Sequence, residues 1–253
     1  MILKNIVMMN LDIFHMFFNS FKNIIIINMN IYDNIKEIIY INLDKRVDRD
    51  EYIKFFLNFH FKHILITRFR AIEPIEATEY QFIKDKIKHS KNANKLTGIT
   101  GCYCSHICIL NRLFNKYKNK KTNDFVLIVE DDTFFDSKFI DKLKEPLEIT
   151  DWNIILGINP SCKINRNGIN KYDDFKNKHI FGTNIVIYNL KNIKEIYRDI
   201  INIPVIIDYD FMLKENIKNI YFFDTKYIEE EKSIKNSDIR NNINIKIKPR
   251  LWW

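Results

Sequence analysis

The sequence predicts an α/β domain with a mainly parallel central sheet flanked by helices. Apolar runs rich in β-branched residues alternate with segments whose apolar positions recur at helical spacing, the pattern of βαβ units. One run, Phe125-Val126-Leu127-Ile128-Val129, is long enough for a strand buried on both faces and ends abruptly in Glu130, Asp131 and Asp132. No internal repeat and no linker divides the chain. The expected organisation is an amphipathic extension over 1–34, a catalytic-type domain over 35–240 and a tail over 241–253.

In chain order, Glu37–Leu43 reads as a strand, and Asp48–Phe59 as a helix with Tyr52, Phe55, Phe56 and Phe59 on one side. His63–Phe69 is a second strand. Ala71–Pro74 is a loop, because Pro74 bars helical backbone at Glu73. Glu76–Lys91 is expected to be helical and mostly solvated. Leu96–Gly101 reads as a loop feeding a helix over Cys102–Tyr117, whose apolar positions Ile107, Leu110, Leu113, Phe114 and Tyr117 share a face. After the Phe125–Val129 strand come a short helix at Ser137–Leu143, a strand at Trp152–Ile158 and a polar excursion at Ser161–Lys178. A strand at Ile180–Tyr188, a helix at Leu190–Ile201 capped by Asn189, a helix at Asp208–Asn216 and a strand at Ile220–Phe223 complete the pattern.

The balance of 46% hydrophobic and 28% charged residues is that of a folded protein able to bury a sizeable core. Scarce Gly and Pro, with abundant Ile, Asn, Lys, Phe and Tyr, suit an AT-rich genome such as a parasite's or a large DNA virus's. That bias bears on the net charge of +8, which would otherwise favour nucleic-acid or membrane-surface binding. Lysines drawn by codon usage onto a solvated face explain the charge as well, so no nucleic-acid partner is expected. The apolar segment Met1–Met29 is broken by Asp12, His15, Asn19, Lys22 and Asn23, whereas a spanning helix needs about 20 nearly uninterrupted apolar residues. It reads as an amphipathic extension, a weak anchor or peripheral membrane contact being the alternative. Cys102, Cys104, Cys108 and Cys162 form no disulfide framework, which points to a reducing, cytoplasmic compartment.

The chemistry-bearing residues each carry two readings. Three adjacent carboxylates repel one another unless a cation or donors neutralise them. In open α/β sheets the carboxyl end of a strand is where ligands bind. Glu130-Asp131-Asp132 is therefore either a divalent-metal site holding a phosphate-bearing ligand or an acidic turn. Asn42, Arg46 and Arg49 follow the first strand and could hold phosphates or a nucleotide. The alternative is a charged helix start, with Asp48 and Asp50 pairing the arginines. Cys102, Cys104, His106 and Cys108 have the right types for zinc but the wrong spacing. On a helix, side chains two apart point about 200° apart, so Cys102 and His106 share one face and Cys104 and Cys108 another. On a strand, the outermost two would sit about 20 Å apart. Neither arrangement makes one tetrahedral site, and His106 reads as a polar group near the pocket or a hydrogen-bonded core histidine. Asp208 or Asp210 could act as general base. Otherwise Asp208 caps a helix and Asp210 faces solvent.

Taken in order, five blocks resemble glycosyltransferase family 25. They are Ile41-Asn42-Leu43-Asp44-Lys45-Arg46-Val47-Asp48-Arg49; Leu96-Thr97-Gly98 with Gly101-Cys102-Tyr103-Cys104-Ser105-His106; Leu127-Ile128-Val129-Glu130-Asp131-Asp132; Trp152–Gly157; and Ser237-Asp238-Ile239. Gly182-Thr183 falls where the family has G-T-H, with Asn184 in the His position, and Ile99 stands at the family's Glu. Two extra residues separate Pro204 from Asp208. The resemblance implies a GT-A-like fold and metal-dependent transfer of galactose or glucose from a UDP-sugar to a glycan, glycolipid or glycoprotein hydroxyl. It implies Mn2+ or Mg2+ on Asp132, with Glu130 assisting, and a nucleotide-sugar side formed by Asn42, Arg46, Arg49, Glu130 and Asp131. The acceptor side or pocket would include Thr97, Ser105, His106, Thr183 and Asn184, and Asp208 or Asp210 would be the base. A non-catalytic relative that binds UDP, a glycan or a protein, and a basic nucleic-acid-binding protein, are the alternatives.

Overall fold

A computed structural model describes residues 32–89, 98–133, 143, 149, 151–158, 169–172, 184–203 and 209–224. The expectations for Met1–Met29, the C-terminal tail with Ser237-Asp238-Ile239, most of Ser137–Leu143 and most of Ser161–Lys178 lie outside these residues; within that last stretch, read as a polar excursion, Asn170–Lys171 forms a short strand.

The strands are β1 (Ile35–Asn42), β2 (Leu65–Arg70), β3 (Phe125–Glu130), β4 (Ile154–Ile158), β5 (Asn170–Lys171), β6 (Ile185–Asn189) and β7 (Ile220–Asp224). Among the described residues they form one sheet in the order β2-β1-β3-β6-β4-β7-β5. β1, β2 and β3 pair in parallel, as do β4 and β7. β6 runs antiparallel between β3 and β4, and β5 runs antiparallel at the edge beside β7. Five strands thus point one way and two the other, a mixed α/β sheet consistent with a single GT-A-like domain.

The helices are α1 (Val47–His60), α2 (Pro74–Ala77), α3 (Gln81–His89), α4 (Gly98–Tyr117), α5 (Ile193–Ile201) and α6 (Tyr209–Asn216). Alternation along each strand divides the core. Ile39, Ile41, Val126 and Ile128 face α4, α5 and α6 through Tyr103, Leu110, Leu113, Ile196 and Leu213. Ile38, Tyr40, Leu127 and Val129 face the other way, onto Ile53, Phe56, Leu57 and Phe61. Covering both faces is what makes β1 and β3 nearly continuous apolar runs. Each fully buried aliphatic side chain contributes about 1.5–3 kcal/mol, so Leu110→Ala would open the centre of this core at a cost of about 2–5 kcal/mol.

Two helix boundaries differ from expectation. The Glu76–Lys91 helix is divided into α2 and α3. Pro74 is preset for a first helical turn, a capping box between Glu73 and Glu76 closes its start, and Thr78 Oγ1 donates back to Ile75 O at 2.6 Å at its end. The second difference is α4, which begins at Gly98 rather than Cys102. Glycine disfavours helix interiors, but a Cβ on Gly101 would stand 2.4 Å from Ile72 O. Close approach to the loop after β2 requires glycine there, and the tertiary contact overrides the propensity. Asn189 caps as expected, its side chain accepting from Lys191 N at 3.1 Å over a 3-10 turn, Leu190–Asn192, that leads into α5.

Candidate active site

Strand register assembles the site. Parallel pairing sets Ile41 beside Glu130, so the next residues, Asn42 and Asp131, meet at the carboxyl end of the sheet. Asn42 Nδ2 donates to Asp131 Oδ2 at 2.8 Å and to Arg46 O at 3.0 Å. Its Oδ1 accepts from Arg68 Nε at 3.0 Å and Nη2 at 2.7 Å. All four of the amide's hydrogen-bonding positions are thus used within the protein, and Asn42 acts by positioning Asp131 and Arg68. Arg68 was missed in the sequence. Its signal was a charged side chain in the middle of a strand, where it also pairs with Asp44 at 2.7 Å and Asp50 at 3.3 Å.

The two arginines of the first block have different fates. Arg46 forms a two-point pair with Asp48, at 3.0 and 2.8 Å, which holds the Asp48 carboxyl down at about 2. That is the charged-helix-start arrangement. Arg49 turns inward instead and is 5% exposed. Its Nη1 donates to Asp131 Oδ1 at 3.0 Å, while Nε and Nη2 are buried with no hydrogen-bond partner among the described residues.

The three carboxylates are therefore not equivalent. Asp131 has both oxygens engaged, by Arg49 and Asn42. Burial raises its carboxyl above the ordinary range, against the pull of those two partners. Glu130 Oε1 lies 3.1 Å from His106 Nε2 and 3.5 Å from Cys102 Sγ. Asp132 is half-buried. Its polar contacts among the described residues are its own backbone N–H and Asn184 Nδ2, 3.4 Å from Oδ1. Burial, reinforced by the charges of Glu130 and Asp131, pushes the Asp132 carboxyl up to about 7. The turn carrying these acids is fixed from β6, because Asn184 O accepts from Glu130 N at 2.9 Å and from Thr133 Oγ1 at 3.1 Å.

The acids and Arg49 line a cleft of about 120 Å³, with Lys45 and Glu73 on one side and Cys102 on another. Ser105 is buried, donating to Gly101 O at 2.8 Å and accepting from Ile72 N at 2.9 Å, and so fastens α4 to the loop after β2. His106 is completely buried against Glu130. Cys102 and His106 reach the same carboxylate while Cys104 and Cys108 pair with each other, the division into two faces that helical spacing dictates. Hard oxygen donors for Mn2+ or Mg2+ are present in Asp132 and Glu130. Thr97, Thr183 and Asp208 lie outside the described residues. Asp210 has its backbone in α6, with its side chain not described. Among the described residues no helix is long and apolar enough to cross a membrane.

The model of "Glycosyltransferase family 25 (LPS biosynthesis protein)" matches residues 35–193, from β1 to the start of α5. The matched span contains every strand of the sheet except β7, and the three carboxylates Glu130, Asp131 and Asp132. No curated protein matches the chain.

Proposed function

The chain belongs to glycosyltransferase family 25, and on that premise we propose that it moves a hexose, galactose or glucose, from a UDP-sugar to a hydroxyl of a glycan, glycolipid or glycoprotein. The observation that carries the reading is the Asp132 carboxyl, pushed up to about 7 by burial beside two further acids on a cleft wall. A carboxylate in that position is short of positive charge, and a hard divalent cation supplies it. Asp132 would hold the cation directly, with Glu130 assisting. When bound, Mn2+ or Mg2+ acts as a Lewis acid toward the leaving diphosphate.

The remaining roles fall to the chain's own groups. Arg49 lines the cleft, and two of its guanidinium nitrogens, which have no hydrogen-bond partner among the described residues, suit phosphate oxygens. Asp131 anchors Arg49, and Asn42 anchors Asp131. Arg46 takes the outer edge of the nucleotide side. In an inverting displacement a carboxylate takes the proton of the attacking hydroxyl, and Asp208, with Asp210 behind it, is assigned that part. Thr97 and Thr183 belong to the acceptor side. The cytoplasm is the compartment that suits the free cysteines Cys102, Cys104 and Cys108.

A thermal-shift screen of UDP-sugars with and without Mn2+ tests the donor reading, since selective binding raises the midpoint by mass action. The expected result is a Mn2+-dependent shift with one UDP-hexose that disappears in Asp132→Ala. Undiminished transfer by that variant would remove the metal assignment. A second reading, a binder without turnover, draws on Asn184, which contacts Asp132 from the position where the family pattern has His. Metal-dependent UDP binding with no hexose transfer to any hydroxyl acceptor would favour it.

A further inference from the structure

We propose that Cys102, His106 and Glu130 form a second cation site, selective for Zn2+, in the wall of the cleft. Their ligand atoms lie within 4.8 Å of one another. Two of the three separations already match a tetrahedral ion. With Zn–N and Zn–O near 2.0–2.1 Å and Zn–S near 2.3 Å, tetrahedral angles place N and O about 3.3 Å apart and S and O about 3.5 Å apart. The observed values are 3.1 Å for His106 Nε2 to Glu130 Oε1 and 3.5 Å for Cys102 Sγ to Glu130 Oε1. The third edge closes by rotation of the Cys102 side chain, which is half-buried.

The scaffold favours the same conclusion. Cys102 and His106 are one turn apart on α4, so their side chains lie one above the other. Glu130 approaches from the end of β3, a different element with its own fixed register. His106 is fully buried, whereas Cys102 and Glu130 line the cleft. Three protein ligands are thereby held from behind, and the fourth coordination position faces the cleft, the open-site arrangement of zinc. The donor set decides the metal. A thiolate with an imidazole selects Zn2+ over Mn2+ and Mg2+, which take oxygen ligands. The hydrogen bonds now joining the three groups pre-arrange them. Binding displaces the thiol proton to solvent and puts the ion in place of those bonds. The site shares Glu130 with the donor-sugar reading but uses neither Asp132 nor Arg49, so variants at Cys102 and at Asp132 test the two readings separately. Occupied, it would add positive charge beside the acids and draw Glu130 away from any ion on Asp132.

Co2+ is the probe, titrated into the full chain after chelator treatment. The expected result is one equivalent bound, with a thiolate-to-cobalt charge-transfer band and the intense visible absorption of a four-coordinate ion. Zn2+ should displace it and a large excess of Mn2+ should not. Cys102→Ser should remove the charge-transfer band and weaken binding by more than about 100-fold, beyond what loss of an outer-shell partner costs. Cys108→Ser and Asp132→Asn should both retain the band. Should Cys102→Ser fail to fold by far-UV circular dichroism, Glu130→Gln reads the same site through a weakening of at least about tenfold with the band kept. The proposal is overturned if the unmodified chain shows no charge-transfer band, if the band survives Cys102→Ser, or if it vanishes in Cys108→Ser. Because Asp132→Asn tests the other cation, loss of UDP–Mn2+ binding there alongside an intact cobalt band separates the two readings.

Discussion

Buried acid occurs at both ends of the sheet, and the two ends treat it oppositely. Near the amino end of β1, Glu37 is completely buried, and its carboxylate accepts from Thr67 Oγ1, Arg112 Nη2 and Lys116 Nζ, each at 2.7 Å. Burial opposes its charge, but those partners prevail and hold it below the ordinary carboxylate range. At the carboxyl end, three acids have one guanidinium, Arg49, among their hydrogen-bonding partners among the described residues, and it is spent on Asp131. There burial and mutual repulsion prevail, and the Asp132 carboxyl rises. A buried acid that is fully met by donors holds a fold together. One left in deficit, at the edge of a cleft, is a place for a ligand.

The sharpest way to break this contrast is to neutralise one acid at each end. If Asp132 holds a cation as proposed, Asp132→Asn should lower glycosyl transfer by about 1,000-fold, the several kcal/mol a cation contributes to charge stabilisation. Its urea unfolding midpoint should stay level or rise, because a like charge has gone. A fall of the midpoint would place Asp132 with Glu37 as a structural acid. Glu37→Gln should do the reverse. It should cost about 2 kcal/mol in urea unfolding, less than a wholly buried pair because Arg112 and Lys116 can turn to water, and it should leave transfer per folded molecule unchanged.

Arg49→Lys probes the residue shared by fold and cleft. A lysine keeps the charge on Asp131 but offers no planar fork, so UDP affinity by calorimetry should drop about tenfold, with a smaller change in the unfolding midpoint.

A further effect is one of pH, and its sign differs between the ends. The folded chain keeps the Asp132 proton up to about 7, whereas the unfolded chain releases it near 3.8. Between those values the folded state binds more protons, so without metal this group's stability contribution declines as pH rises and levels off above about 7. Glu37, held low, contributes stability that is present above the ordinary carboxylate range and lost as pH falls through its folded value. Chemical unfolding of the metal-free chain from pH 8 down to about pH 2 measures both. Asp132→Asn should flatten the slope toward neutral pH and Glu37→Gln the slope at the acid end. Mn2+ affinity should rise with pH up to about 7 in the unmodified chain and lose that rise in Asp132→Asn.

Much of this was readable beforehand, for identifiable reasons. β1 and β3 are buried on both faces, and such strands write themselves as unbroken apolar runs. The acids at the end of β3 and the arginines after β1 were visible as local patterns. Less visible was what each side chain would meet. Arg46 and Arg49 lie three apart in one charged block, yet one pairs with Asp48 and the other with Asp131, 82 residues away. That choice is made by the β1–β3 register. The burial of Glu37 at the start of its strand left no local signal, because its partners Arg112 and Lys116 come from α4. The two-residue strand β5 carries no periodicity to read, and the close approach of Gly101, inside α4, to Ile72 is a tertiary contact that no local propensity encodes.

That contact also sets a dimension. Where α4 passes the loop after β2, a hydrogen on Gly101 faces the carbonyl of Ile72, so main chain sets the spacing on that flank of the cleft. The breadth of the cleft on that flank is therefore fixed by backbone against backbone, whichever side chains line it. A larger residue at position 101 would have to push α4 away from the loop, and so reshape the cleft, before it touched any group inside it.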